Sequence, residues 1–142
     1  MKIYGVIHLK GLPGSTSNVL SIPEITALAQ NDINGLTEGG VDGIIIENFG
    51  DAPFVKDNLS KRSLVSFTTV ASNLELNRNL DIGINVLRND GISALAIAEA
   101  IDATFVRINV LNNIMYTDQG IIEGKSYDVS QFRNTLSKDI QV

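Results

Sequence analysis

The chain has 142 residues, 44% of them hydrophobic and 19% charged, an ordinary composition for one globular domain with a real core. Its formal net charge is −5 and its few basic residues are scattered, Lys61-Arg62 being the only adjacent pair, which argues against a nucleic-acid partner. The absence of cysteine excludes disulfides and thiolate chemistry and fits a reducing, cytoplasmic setting.

No run approaches the roughly 18 apolar residues of a membrane span. The N-terminal stretch from Met1 to His8 is too short for a signal peptide and is soon interrupted by Pro13 and Gly14. Composition leaves peripheral contact with a membrane open.

The first strand is predicted over Ile3 to His8, followed by a loop holding Gly11, Pro13, Gly14 and several serines. Ser21 then reads as an N-cap, with Pro23 just inside the helix and Glu24 in its first turn. Ile25, Leu28, Ala29, Ile33 and Leu36 recur at helical spacing, and Gly39-Gly40 ends the helix. The second strand runs from Val41 to Glu47, and a long loop from Asn48 to Ser60 leads to a helix over Lys61 to Asn77. The third strand, Ile82 to Val86, precedes an alanine-rich helix over Ile92 to Ile101. The fourth strand covers Thr104 to Val110. A second long loop, Leu111 to Gly124, leads to a helix near Val129 to Leu136, and Ile140-Gln141-Val142 reads as the start of a fifth strand.

Strands that alternate with helices imply an α/β fold with a parallel sheet. The spacing fits a (β/α)₈ barrel of the TIM type, of which four βα units and the start of strand five are present; a complete barrel needs about 250 residues. The sequence therefore reads as a half-barrel, either a shortened chain or one half of an assembled barrel. The remaining reading is a small open sheet of the doubly wound type. Its dinucleotide-binding version requires a G-x-G-x-x-G spacing that Gly11 and Gly14 do not supply, so it ranks below the barrel.

Polar residues gather at the strand exits, where α/β proteins build their sites. Side chains alternate along a strand, so Arg107 and Asn109 share a face, as do Gly83 and Asn85. Asn85, Arg107 and Asn109 are expected to converge on one mouth with His8 and Glu47. Arg107, near the end of an apolar strand, needs an anionic partner if buried. That partner is either Glu47 or a phosphate or carboxylate ligand held bidentately. His8, the only histidine, suits general acid–base work, though a hydrogen-bonded structural role competes. Glu47 suits a base or one half of an ion pair with Arg107 or Arg88. Asn48, Asp51, Arg88, Asp90 and Asp118 complete the candidate ligand-binding set. Asp51 competes as a turn closer, Asp90 as an N-cap, and Asp118 as part of a solvated loop beside Gln119 and Glu123. A hard cation such as Mg²⁺ could use one or two of Glu47, Asp51, Asp90 and Asp118, but no spacing fixes a metal set and none is assigned. No cofactor is indicated.

Several strings carry a family resemblance. They are Gly5-Val6-Ile7-His8-Leu9, Glu47-Asn48-Phe49-Gly50-Asp51-Ala52-Pro53-Phe54, Asn85-Val86-Leu87-Arg88-Asn89-Asp90, Phe105-Val106-Arg107-Ile108-Asn109-Val110 and Thr117-Asp118-Gln119-Gly120. In this order they resemble the BtpA family over nearly the whole chain. That family is a TIM-barrel group named for a protein needed for photosystem I biogenesis at thylakoid membranes. The resemblance implies a soluble (β/α)₈ barrel without a defined biochemical activity.

Three functional expectations follow. One is an enzyme or enzyme half acting on a small anionic, phosphorylated or sugar-like metabolite. The family name motivates a second, a non-catalytic factor in the assembly of a membrane complex. The third is a chain that self-associates, or takes up a missing C-terminal half, through its exposed sheet edges.

Overall fold

The computed structural model describes residues 1–142. In chain order its elements are β1 (Tyr4–His8), α1 (Ile22–Glu38), β2 (Gly43–Glu47), α2 (Lys61–Ser72), β3 (Asp81–Asn85), α3 (Gly91–Ile101), β4 (Phe105–Arg107), β5 (Ile114–Thr117), β6 (Gly120–Glu123) and α4 (Ser126–Arg133). The first four strands form one parallel sheet in the order β1-β2-β3-β4.

That order follows from the sequence periodicity. Each strand is a short apolar run flanked by a helix with an apolar stripe, so each helix must return its stripe to the sheet it left. Ile7, Ile44, Ile46, Ile82, Ile84 and Val106 face the helices and are buried. They pack in one core with Ile25, Ala29 and Ile33 of α1, Phe67, Val70 and Ala71 of α2, and Ala94, Leu95, Ile97 and Ala98 of α3. Each buried isoleucine or phenylalanine contributes roughly 1.5–3 kcal/mol relative to exposure. The opposite face of the sheet carries Tyr4, Val6 and His8 on β1, all exposed. With every helix on one face and no reversal of strand order, the doubly wound reading does not hold.

Residues 140–142 continue the sheet beyond β4. Gln141 bridges Phe105 in parallel, its N–H donating to the Thr104 carbonyl at 3.0 Å and its carbonyl accepting from Val106 N–H at 2.8 Å. Ile140 beside it is fully buried. The expected start of a fifth strand is therefore in place.

Several elements differ from expectation, α4 for one beginning at Ser126 rather than near Val129. Helix α2 stops at Ser72 rather than Asn77, in the poorly helix-forming Ser72-Asn73 pair. Strand β4 covers only Phe105–Arg107, because side chains replace the ladder beyond it. Asn85 donates to the Arg107 carbonyl at 2.8 Å, and Asn89 pairs with both the N–H and the carbonyl of Val110 at 2.8 and 2.9 Å. The second long loop is not irregular: β5 and β6 form an antiparallel hairpin closed by Thr117 and Gly120, the latter at φ 96°. The N-terminus of α1 is as the sequence predicts, with the Glu24 carboxylate accepting from both the N–H and the hydroxyl of Ser21 at 2.8 and 2.6 Å.

Phe67→Ala, at a fully buried position, is expected to lower unfolding stability by about 3–5 kcal/mol. Val65→Ala, on the exposed side of the same helix, is expected to change it by under about 0.5 kcal/mol. Urea titration followed by circular dichroism checks both.

Candidate functional site

The strand register places the site. His8 is paired with Glu47, Glu47 with Asn85, and Asn85 with Arg107. In a parallel sheet, residues in register point to the same face. Four consecutive strands therefore deliver a single row of polar side chains, His8–Glu47–Asn85–Arg107, at their carboxyl ends. The row lies on the face that the helices leave open.

Glu47 is the centre of this row. Its side chain is 6% exposed, and its two oxygens have different partners: His8 Nε2 lies 3.0 Å from Oε1 and Arg107 Nη1 lies 3.6 Å from Oε2. Arg107 is not the buried guanidinium that its apolar strand predicts. About half of its side chain is exposed, because β4 ends at this residue and the side chain leaves the sheet there. His8 is similarly half-exposed, so both partners reach solvent while the Glu47 side chain between them does not. Asn85 donates to Asn109 Oδ1 at 2.9 Å and its own oxygen lies 3.5 Å from Arg107 Nη1. The expected convergence of Asn85, Arg107 and Asn109 with His8 and Glu47 is thus present in the geometry.

The remaining sequence-selected residues fall into two groups. Asn48, Asp51 and Asp90 are buried and hold backbone. Asn48 accepts from Leu87 N–H at 2.7 Å and donates to Asp51 at 2.9 Å, while Asp51 accepts from Leu12 N–H at 2.7 Å. Together they tie the exits of β1, β2 and β3. Asp90 caps α3 through Ser93 N–H at 3.0 Å and also accepts from Leu59 N–H at 2.8 Å, anchoring the loop before α2. Arg88 and Asp118 form the second group, at the rim. The Arg88 guanidinium donates to Gln119 at 3.0 Å and Asp118 at 3.2 Å, linking the β5–β6 hairpin to the exit of β3.

Phe49 and Phe54 belong to the same region, and the polar pattern alone does not single them out. The Phe49 ring stacks on His8, with centroids 4.4 Å apart and planes at 20°. Phe54 lies 6.1 Å further on, and the Arg88 guanidinium sits 5.0 Å above the Phe54 ring. The available signal was their placement, directly after Glu47-Asn48 in an otherwise small and polar loop. No cluster of three or more His, Asp or Glu side chains is arranged to hold a metal ion. A hollow of about 480 Å³ opens at the other end of the strands, lined by Lys2, Tyr4, Ile45, Asp81, Phe105 and Gln141. There Lys2 and Tyr4 both donate to Asp81, and these hydrogen bonds hold its carboxyl below the usual range.

Asn48→Ala removes the acceptor of the buried Leu87 N–H and a donor to Asp51; a loss of about 1–3 kcal/mol in urea unfolding is expected. Burial pushes the Asp51 carboxyl above its ordinary 3.8, against the opposing pull of the Leu12 and Asn48 hydrogen bonds. The folded state therefore favours protonated Asp51. Its stabilising contribution is complete below 3.8 and is lost as pH rises through the higher folded value. In thermal melts taken across that window, Asp51→Asn is expected to remove this part of the pH dependence.

The photosystem I biogenesis protein BtpA of Synechocystis is 41% identical over 140 residues, covering 99% of this chain and 49% of that protein. An uncharacterized protein of Methanocaldococcus jannaschii is also 41% identical over 140 residues, covering 99% of this chain and 53% of its own length. An uncharacterized mitochondrial protein of Caenorhabditis elegans is 28% identical over 142 residues, covering 96% and 51%. The chain thus spans about half the length of the curated relatives it matches. No solved structure matches it significantly. The family model for the BtpA family runs over residues 1–142, from before β1 to the strand residues paired with β4, and the chain belongs to that family.

Proposed function

We propose that this chain forms the first half of a (β/α)₈ barrel whose mouth binds a small anionic, phosphorylated metabolite. The sequential strand order, the helices on one face, and the pairing of Gln141 with β4 support the half-barrel. The further length of the relatives, about equal to this chain, is of the size that four more βα units require.

The observation that carries the reading is the in-register row at the strand ends. Arg107 presents a half-exposed guanidinium whose contact with Glu47 is long, 3.6 Å, leaving its donor fork available to an anion. His8 stands at the other end of the row with Glu47 behind its Nε2. In this reading His8 accepts or donates the proton, and Glu47 orients the imidazole and stabilises its charged form. Asn85 and Asn109 orient polar groups of the ligand. Arg88 and Asp118 bound the rim, while Asn48, Asp51 and Asp90 fix the loops from which the mouth is built. The name of the Synechocystis relative assigns photosystem I biogenesis to that protein; the reading here rests on the strand-end row instead.

Calorimetric titration with ribose 5-phosphate tests the reading. Arg107→Ala is expected to weaken binding about tenfold or more, with Arg107→Lys intermediate because an ammonium lacks the planar fork. Equal binding by wild type and Arg107→Ala would rule the reading out.

A further inference from the structure

We propose that the ligand of this mouth carries a flat aromatic ring beside its anionic group, as a nucleotide does, and that Phe49 is the surface on which the ring stacks. The proposal rests on the anion-site reading above and narrows its ligand class.

The local structure inverts the usual preference of side chains for core and solvent. Phe49 opens the short turn Phe49–Asp51 that follows β2. The polar residues on either side of it, Asn48 and Asp51, are buried at 1% and 7% exposure. Phe49 itself is 51% exposed. Phe49 is not part of the core packed between the sheet and the helices.

Nor is the ring loosely held. Gly50 N–H donates to the Leu9 carbonyl at 2.8 Å, and a Cβ at Gly50 would lie 2.5 Å from backbone atoms of Leu9 and Gly11, so the turn is fixed against the exit of β1. One face of the Phe49 ring is covered by the His8 imidazole at 4.4 Å. The exposed surface therefore belongs to the rest of the ring. Phe54, tilted at 58° and 6.1 Å away, extends the aromatic surface toward Arg88.

Arg107, Glu47, His8, Phe49, Phe54 and Arg88 thus form one continuous run of contacts, with a guanidinium at each end and aromatic rings between. A purely sugar-like anion would use the ends and leave the rings wet. A ligand with a planar π system uses both, stacking on the ring while its anionic group meets a guanidinium. Stacking of this kind accepts any base, because every base offers a π face.

The test is calorimetry of the 142-residue chain with AMP and ribose 5-phosphate, together with intermolecular NOEs from the Phe49 ring protons to the adenine H8 and H2. AMP is expected to bind about tenfold more tightly than ribose 5-phosphate, the increment of one base–aromatic stack. Phe49→Leu is expected to reduce AMP to the level of ribose 5-phosphate, and Phe49→Tyr to keep the preference. The NOEs are expected in the unsubstituted chain, so that measurement does not depend on how the leucine variant folds. Equal binding of the two compounds, an undiminished preference in Phe49→Leu, or absent NOEs would overturn the aromatic-ring inference and leave the anion site standing. Failure of both phosphates to bind would overturn the anion site and this inference together.

Discussion

Glu47 is a carboxylate held almost out of water at the carboxyl end of a central strand, and the arrangement around it follows from that. An unpaired charge there would cost about 3–5 kcal/mol, a large part of the stability of a domain this size. Its oxygens are met from both sides, by His8 on β1 and Arg107 on β4, and Asn85 on β3 links the latter to the row. Only a parallel sheet with this register brings the four side chains level. The same register that buries Ile46 and Ile84 under the helices turns Glu47 and Asn85 to the other face. Core and site are therefore set by a single choice of strand alignment.

Around this row, polar side chains take over the work of the backbone. Where β4 stops, Asn85 holds the Arg107 carbonyl and Asn89 both backbone groups of Val110; where β2 stops, Asn48 and Asp51 clasp the neighbouring loops. No buried side-chain nitrogen or oxygen lacks a partner. A row of side chains held in this way has few loose neighbours, which favours a fixed placement of His8 and Arg107 over an adaptable one.

Much of this is legible in the sequence, for a specific reason. The βα alternation and the strand exits at His8, Glu47 and Asn85 are local patterns, written in consecutive residues. The stitches are not. Asn48 meets Leu87 and Asp90 meets Leu59, pairs 39 and 31 positions apart that no spacing rule connects. Arg107 misled in the opposite direction. Its flanks, Val106 and Ile108, read as a buried strand, yet the strand ends at Arg107 itself and releases the side chain. The β5–β6 hairpin was hidden because Met115, Tyr116, Ile121 and Ile122 lie in a stretch marked by Asp118, Gln119 and Gly120, whose polar character reads as loop when it is in fact the turn of a ribbon.

The strand order has a consequence for how such a chain acquires its shape. Each strand from β2 to β4 pairs with the strand made just before it, and its helix packs beside the preceding helix. A nascent chain leaving the ribosome therefore always finds its template already emerged, and no strand must wait for a distant partner. The sheet can grow by accretion from the N-terminus, one βα unit at a time. The growing edge moves forward with each unit, and residues 140–142, docked on β4, occupy it.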